Sequence, residues 1–165
     1  MDLILWRHAE AQEHPQGEQG EQGDALDLAR RLTPRGEKQA ARMAAWLDRQ
    51  LPEGTRIWSS PAARTEQTAQ TVQALGRKYR VSEALAPGAS PAHLLELVQW
   101  PGGRSPVLVV GHQPTLGRVV AQLLDATDPT QPWSVRKGAV WWLRLRDREG
   151  VPQLTLHAVV GPDTV

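Results

Sequence analysis

Four residues of this 165-residue chain have side chains suited to handling a tetrahedral dianion: Arg7, His8, Arg64 and His112. Arginine stays charged at any relevant pH and presents two parallel N–H donors that match phosphate oxygens. A neutral imidazole, with an ordinary pKa of about 6.5, is a competent nucleophile near neutrality. A second imidazole, when protonated, stabilises charge on the transferring oxygens. Phosphoryl transfer asks mainly for positioning and charge stabilisation, and this set offers both without a metal or other cofactor. Gln113, beside His112, is a further candidate contact for the substrate. The competing reading of the two imidazoles is a zinc site completed by Glu10. Arg7 and Arg64 argue against it, because they would set positive charge beside a cation.

These residues are worth considering together because of the elements that must carry them. Leu3-Ile4-Leu5-Trp6-Arg7-His8 and Val107-Leu108-Val109-Val110-Gly111-His112 share one design, a short apolar run that ends at a histidine. Such a run reads as a strand buried on both faces of a sheet. The residue just past it lies at the carboxyl end, the rim where open α/β sheets bind ligands. Thr33-Pro34 starts a helix, with a threonine N-cap, proline at the first helical position and an apolar repeat from Ala40 to Leu51. Ser60-Pro61 repeats that pattern, and Arg64 falls in the first turn that follows. Further strands are expected near 55–59 and 79–82, with helices at 91–100 and from Pro114. A polar loop over 125–134 precedes an antiparallel hairpin over 139–145 and 153–160. Strand alternating with helix, then a hairpin, predicts one domain over 1–165: a three-layer α/β/α sandwich with a mostly parallel central sheet. The polar stretch 12–27 reads as a surface loop by composition. Its position directly after His8 also suits a flap over the site.

Composition narrows the alternatives. Apolar residues make up 40% of the chain, which fits a globular fold rather than a disordered one. The formal net charge of +1 gives no global field for nucleic acid or a membrane surface. With no cysteine, disulfides and thiolate catalysis are excluded. No apolar run approaches the ~20 residues of a membrane helix, and no signal peptide opens the chain. The expected compartment is therefore the cytoplasm. His14, His93 and His157 read as surface or edge residues outside the constellation.

At these same residues the sequence resembles the histidine phosphatase superfamily, which includes the cofactor-dependent phosphoglycerate mutases. Arg7-His8 matches its Arg-His pair after the first strand. Leu32-Thr33-Pro34-Arg35-Gly36 matches Leu-Thr-x-x-Gly. The segment from Ser59 to Ala69 matches Ser-Ser-Pro-x-x-Arg-x-x-Gln-Thr-Ala, and Gly111-His112-Gln113-Pro114 matches Gly-His-x-Pro. The resemblance implies a phosphoglycerate mutase-like fold, with His8 as phosphoacceptor and Arg7, Arg64 and His112 completing a phosphate pocket. Near-minimal length, the start Arg7-His8-Ala9-Glu10-Ala11 and the loop 83–88 are most similar to the small SixA-type phosphohistidine phosphatases. The Trp-Glu-Gly-type segment that carries a glutamate general acid in larger members has no counterpart; Glu10 and Glu83 are the nearest carboxylates. An alkyl-phosphate leaving group needs such an acid, worth ~10²–10⁴-fold, whereas a phosphoramidate needs it less. The expected activity is hydrolysis of phosphohistidine in proteins through a covalent phosphohistidine at His8. The alternatives are a small-molecule phosphomonoesterase of the same superfamily and a non-catalytic module that binds phosphate or phosphoproteins.

Overall fold

The computed structural model describes residues 1–124, 127, 128 and 130–165. Its centre is strand β1 (Asp2–Arg7), where alternate residues serve opposite faces. Leu3 and Leu5 point into one core and Ile4 and Trp6 into the other, so the run has to be apolar throughout. Each such side chain contributes roughly 1.5–3 kcal/mol by burial.

After β1 come α1 (Gly20–Ala29), α2 (Pro34–Gln50), β2 (Arg56–Ser59), α3 (Ala63–Gln73) and β3 (Arg80–Val81). A 3-10 turn (Glu83–Leu85) leads to α4 (Pro91–Leu97), β4 (Val107–Gly111), α5 (Thr115–Leu123), β5 (Val140–Arg148) and β6 (Val151–Val160). The sheet order is β3-β2-β4-β1-β5-β6. β1 runs parallel to β4 and antiparallel to β5, and β2 is parallel to both β3 and β4. β5 and β6 form the expected hairpin. Residues of α2 and α3 (Met43, Leu47, Ala69, Val72) pack with Ile4, Trp6, Leu108 and Val110. Leu94 of α4 and Leu116, Val119 and Val120 of α5 close the opposite face over Leu3, Leu5 and Val109. The result is the three-layer α/β sandwich that the alternation of elements predicts.

The helix starts depend on local chemistry. The Thr33 side chain accepts from Gly36 N at 3.0 Å with Pro34 in the first turn, as expected for α2. At α3 the expectation is corrected: the helix begins at Ala63 and its N-cap, Ala62, has no side-chain cap. Ser60 is drawn elsewhere, as described below. The helix expected over 91–100 ends at Leu97, where Gln99 takes a positive φ of 60°. The hairpin strands run longer than expected because Glu149-Gly150 makes a two-residue turn, with φ of 55° and 82°. The polar loop expected over 125–134 falls partly outside the described residues, at 125, 126 and 129.

The largest correction concerns 12–27: residues 12–19 form a loop as expected, but α1 takes the remainder from Gly20 onward. Only Gly23 of that helix is buried, so it carries no apolar stripe for a sequence reader to find. No helix among the described residues is long and apolar enough to cross a membrane.

Candidate active site

The carboxyl ends of β1, β2 and β4 meet at one point on the rim. His8 N donates to Gly111 O at 3.2 Å, and Ser60 N donates to Val110 O at 3.1 Å. These bonds continue the ladder one residue past each strand and fix where His8, Ser60 and His112 leave the sheet. His8 and His112 arrive with ring centroids 5.4 Å apart. Arg64 enters from the first turn of α3 and is 3% exposed, while His8 and His112 are 5% and 4% exposed. Gly36 explains the glycine after Leu32-Thr33: a Cβ there would collide with the Glu10 backbone carbonyl, two residues past His8. Glycine thus lets α2 seat against the loop that carries the histidine.

Hydrogen bonds set each group's role. His8 Nδ1 lies 2.7 Å from Ala9 O. A carbonyl only accepts, so Nδ1 carries the proton and Nε2 keeps its lone pair. The 9–10 turn is held in turn, with Ala9 N donating to Thr68 Oγ1 of α3 and Glu10 N to Gln39 Oε1 of α2. His112 Nε2 lies 2.7 Å from Ser60 Oγ, and Ala62 N donates to the same hydroxyl oxygen at 3.3 Å; with that oxygen's own O–H directed at Nε2, the neutral ring carries its proton on Nδ1. Arg7 Nη1 donates to Val135 O at 3.0 Å. Arg64 is gripped at its far end by Asp27, whose carbonyl accepts from Nη1 at 2.7 Å and whose carboxylate accepts from Nη2 at 3.1 Å. That leaves the Nε edge of the guanidinium clear.

Among the described residues, three buried side-chain nitrogens lack a hydrogen-bond partner: Arg7 Nε, Arg64 Nε and His112 Nδ1. Buried polar atoms are ordinarily paired. That these three orphans come from three of the four constellation residues marks the rim as built for an acceptor-rich ligand. An oxyanion, which donates nothing and accepts from all sides, meets that need.

The electrostatics agree. Burial, opposed by the Ala9 hydrogen bond and reinforced by Arg64, Arg7 and Arg30, lowers His8 to about 3. Burial, with Arg64, His8, Arg7 and Arg30, lowers His112 to about 2. Arg7 is lowered by burial and Arg64, and Arg64 by burial against the pull of Asp27. Both imidazoles are therefore neutral in the ligand-free site, beside two cations.

This has a measurable consequence. The unfolded chain protonates both histidines below about pH 6.5, while the folded chain leaves them neutral. Their contribution to stability is thus complete above pH 6.5 and falls as the pH drops toward the folded values. The unfolding free energy obtained from urea titrations should decline from pH 6.5 to 5, by up to about 1.4 kcal/mol per pH unit for each histidine. The slope should flatten in His112→Asn; an unchanged slope there contradicts the buried neutral state.

The other candidates lie elsewhere. Gln113 sits at the junction, but its Oε1 accepts from Gly117 N at 2.7 Å and its Nε2 donates to Trp133 O at 2.8 Å. Its amide braces α5 against the 133 region and is not free for a ligand. Glu10 turns to Thr33 Oγ1 at 2.9 Å and Arg35 at 3.6 Å. Glu83 shares a groove with Asp24, Asp27 and Leu28. His93 and His157 are exposed, the latter stacked edge-on to Trp142. Asp27 and Arg30 were not legible as site residues, because α1 offers only a local i,i+3 pair between them at 3.0 Å. Ser60 was legible as a motif position but not as the partner of His112.

A family model described as the histidine phosphatase superfamily (branch 1) matches residues 3–86, half of the chain and three of its four site residues. The chain belongs to the histidine phosphatase superfamily. Within it, the chain is 28% identical over 155 residues to a phosphohistidine phosphatase SixA homologue of Haemophilus influenzae, covering 86% of this chain and 88% of the relative. A SixA protein histidine phosphatase solved with tungstate superposes with a TM-score of 0.70 at 28% identity, covering 99% and 98% of the two chains. A SixA candidate from Agrobacterium tumefaciens gives 0.73 at 25% identity, covering 98% and 97%. This superfamily member is thus similar to SixA-type hydrolases along nearly its whole length.

Proposed function

We propose that this chain hydrolyses phosphohistidine in proteins, through a phosphoryl group carried transiently on His8. The observation that carries the reading is the trio of unpartnered buried nitrogens on Arg7, Arg64 and His112 beside an imidazole whose Nδ1 is committed to Ala9. A relative of this fold was solved with tungstate, a tetrahedral oxyanion, which agrees with an oxyanion as ligand.

In the first step, His8 Nε2 attacks phosphorus in line with the substrate's P–N bond. That bond breaks, and its electron pair stays on the departing imidazole nitrogen. If the other nitrogen of that ring is protonated, the group leaves as a neutral imidazole. Water then attacks phospho-His8; the new P–N bond breaks, its electron pair returns to Nε2, and phosphate departs. The guanidinium groups of Arg7 and Arg64 take the equatorial oxygens. The bound dianion raises the affinity of His112 for a proton, so that its ring donates both to Ser60 and to the ligand. Glu10 is engaged with Thr33 and Arg35, which fits a leaving group with little need of a separate acid.

The test is a comparison of kcat/KM for a phosphohistidine peptide, a sugar phosphate and a nucleotide. The expected result is a preference for the peptide of at least about 10²-fold, the low end of what a missing general acid costs an ester. Equal or reversed rates would instead support a small-molecule phosphomonoesterase.

A further inference from the structure

We infer that the cavity beside Arg7 receives an acidic stretch of the substrate protein, adjacent to its phosphorylated residue; this rests on the phosphoprotein reading above. The cavity measures about 570 Å³, within the range of about 300–1,000 Å³ common for ligand clefts. It opens on the same rim as the site, where β1 ends, β5 begins and β6 ends. Arg7 and the exposed Arg136 and Lys137 line it, together with the apolar side chains of buried Trp141 and exposed Val159. Asp163 is the one carboxylate in that lining.

The two cations do not sit on a free loop. The segment 135–139 is tied to the nucleophile's own strand at four points. Val135 O accepts from Arg7 Nη1 at 3.0 Å, and Gly138 O accepts from Trp6 Nε1 at 3.1 Å. Gly138 N donates to His8 O at 3.0 Å, and Arg7 N donates to Ala139 O at 3.1 Å. Gly138 holds a φ of 75°, and a Cβ there would come within 3.0 Å of Pro162. The backbone that carries Arg136 and Lys137 is therefore held in a fixed relation to His8.

The kind of partner follows from magnitude. An exposed ion pair contributes only about 0.2–1 kcal/mol, too little to retain a free carboxylate. A carboxylate tethered to a phosphoryl group already anchored at His8 arrives at a high effective concentration, and a weak pair then suffices. The cavity thus favours an acidic residue on the same chain as the phosphohistidine over a free anion.

The experiment compares the full chain with the double variant Arg136→Gln/Lys137→Gln on three substrates. These are a phosphohistidine peptide flanked by Asp and Glu, the same peptide flanked by Asn and Gln, and phosphoimidazole, which has no chain. Wild type should prefer the acidic peptide, and raising salt from about 0.05 M to about 0.5 M should erode that preference. The double variant should lose about 3–30-fold in kcat/KM on the acidic peptide, through KM. Its rate on phosphoimidazole should be unchanged. An acidic peptide no better than the neutral one, or an equal loss on phosphoimidazole, overturns the assignment of the cavity. Failure of wild type on phosphoimidazole and both peptides strikes the reaction itself, a different result from loss of the flank preference.

Discussion

His8→Asn will lower kcat by about 10⁴-fold or more while leaving the fold in place. The side chain makes one intramolecular hydrogen bond, to the carbonyl of its own neighbour. The ties that hold position 8 to the sheet are backbone bonds to Gly111 and Gly138, and these survive the substitution. Melting should therefore be close to wild type. Incubation of wild type with a labelled phosphoramidate should give a phosphoenzyme that is labile to acid and stable to base, and His8→Asn should give none. Retained turnover would move the nucleophile elsewhere. Wild type that binds phosphate tightly but never takes up label would support a binding module instead.

Arg64→Ala will cost about 10²–10³-fold in kcat/KM, the range seen when one preorganised donor to transition-state charge is removed. Arg64→Lys should recover only part of this, since an ammonium cannot supply a planar pair of N–H groups. The substitution also frees Asp27, whose carbonyl and carboxylate both grip the guanidinium. Asp27→Asn separates the two roles. It keeps an oxygen for Arg64 but removes the charge, so its effect should be several-fold smaller than that of Arg64→Ala. Equal losses would mean that Arg64 acts on α1 and not on phosphate, a result that inhibition by inorganic phosphate would confirm or refute.

The candidate site residues stood out in the sequence because each lies at the end of a strand, just past it or in the helical turn that follows. Apolar runs such as Leu3-Ile4-Leu5-Trp6 are unmistakable, and whatever comes next must lie on the rim. Orientation within the rim was not visible. That Arg64 presents its Nε edge depends on Asp27, thirty-seven positions earlier, on a helix whose one buried residue is Gly23. A polar helix held by contacts at its end has no periodic signature. Ser60 misled in a related way. A serine before proline reads as a cap, yet here the hydroxyl faces His112 and the helix starts three residues later. Gln113 shows the reverse: it sits beside a site histidine in the chain, but its amide braces backbone. Tertiary demand on a polar side chain overrode the local pattern in all three cases.

The central strand also precedes, in chain order, both strands it pairs with. β1 pairs with β4 and β5, and both partners lie more than a hundred residues further along the chain. During synthesis, Arg7 and His8 are made before either partner strand, and β1 stays unpaired until β4 and then β5 have followed. The candidate site therefore cannot assemble before β4 is made, and an apolar segment stays unsheltered over that interval. Cells making this enzyme quickly would be expected to need a chaperone for that interval, and slow refolding from denaturant would be the in-vitro counterpart.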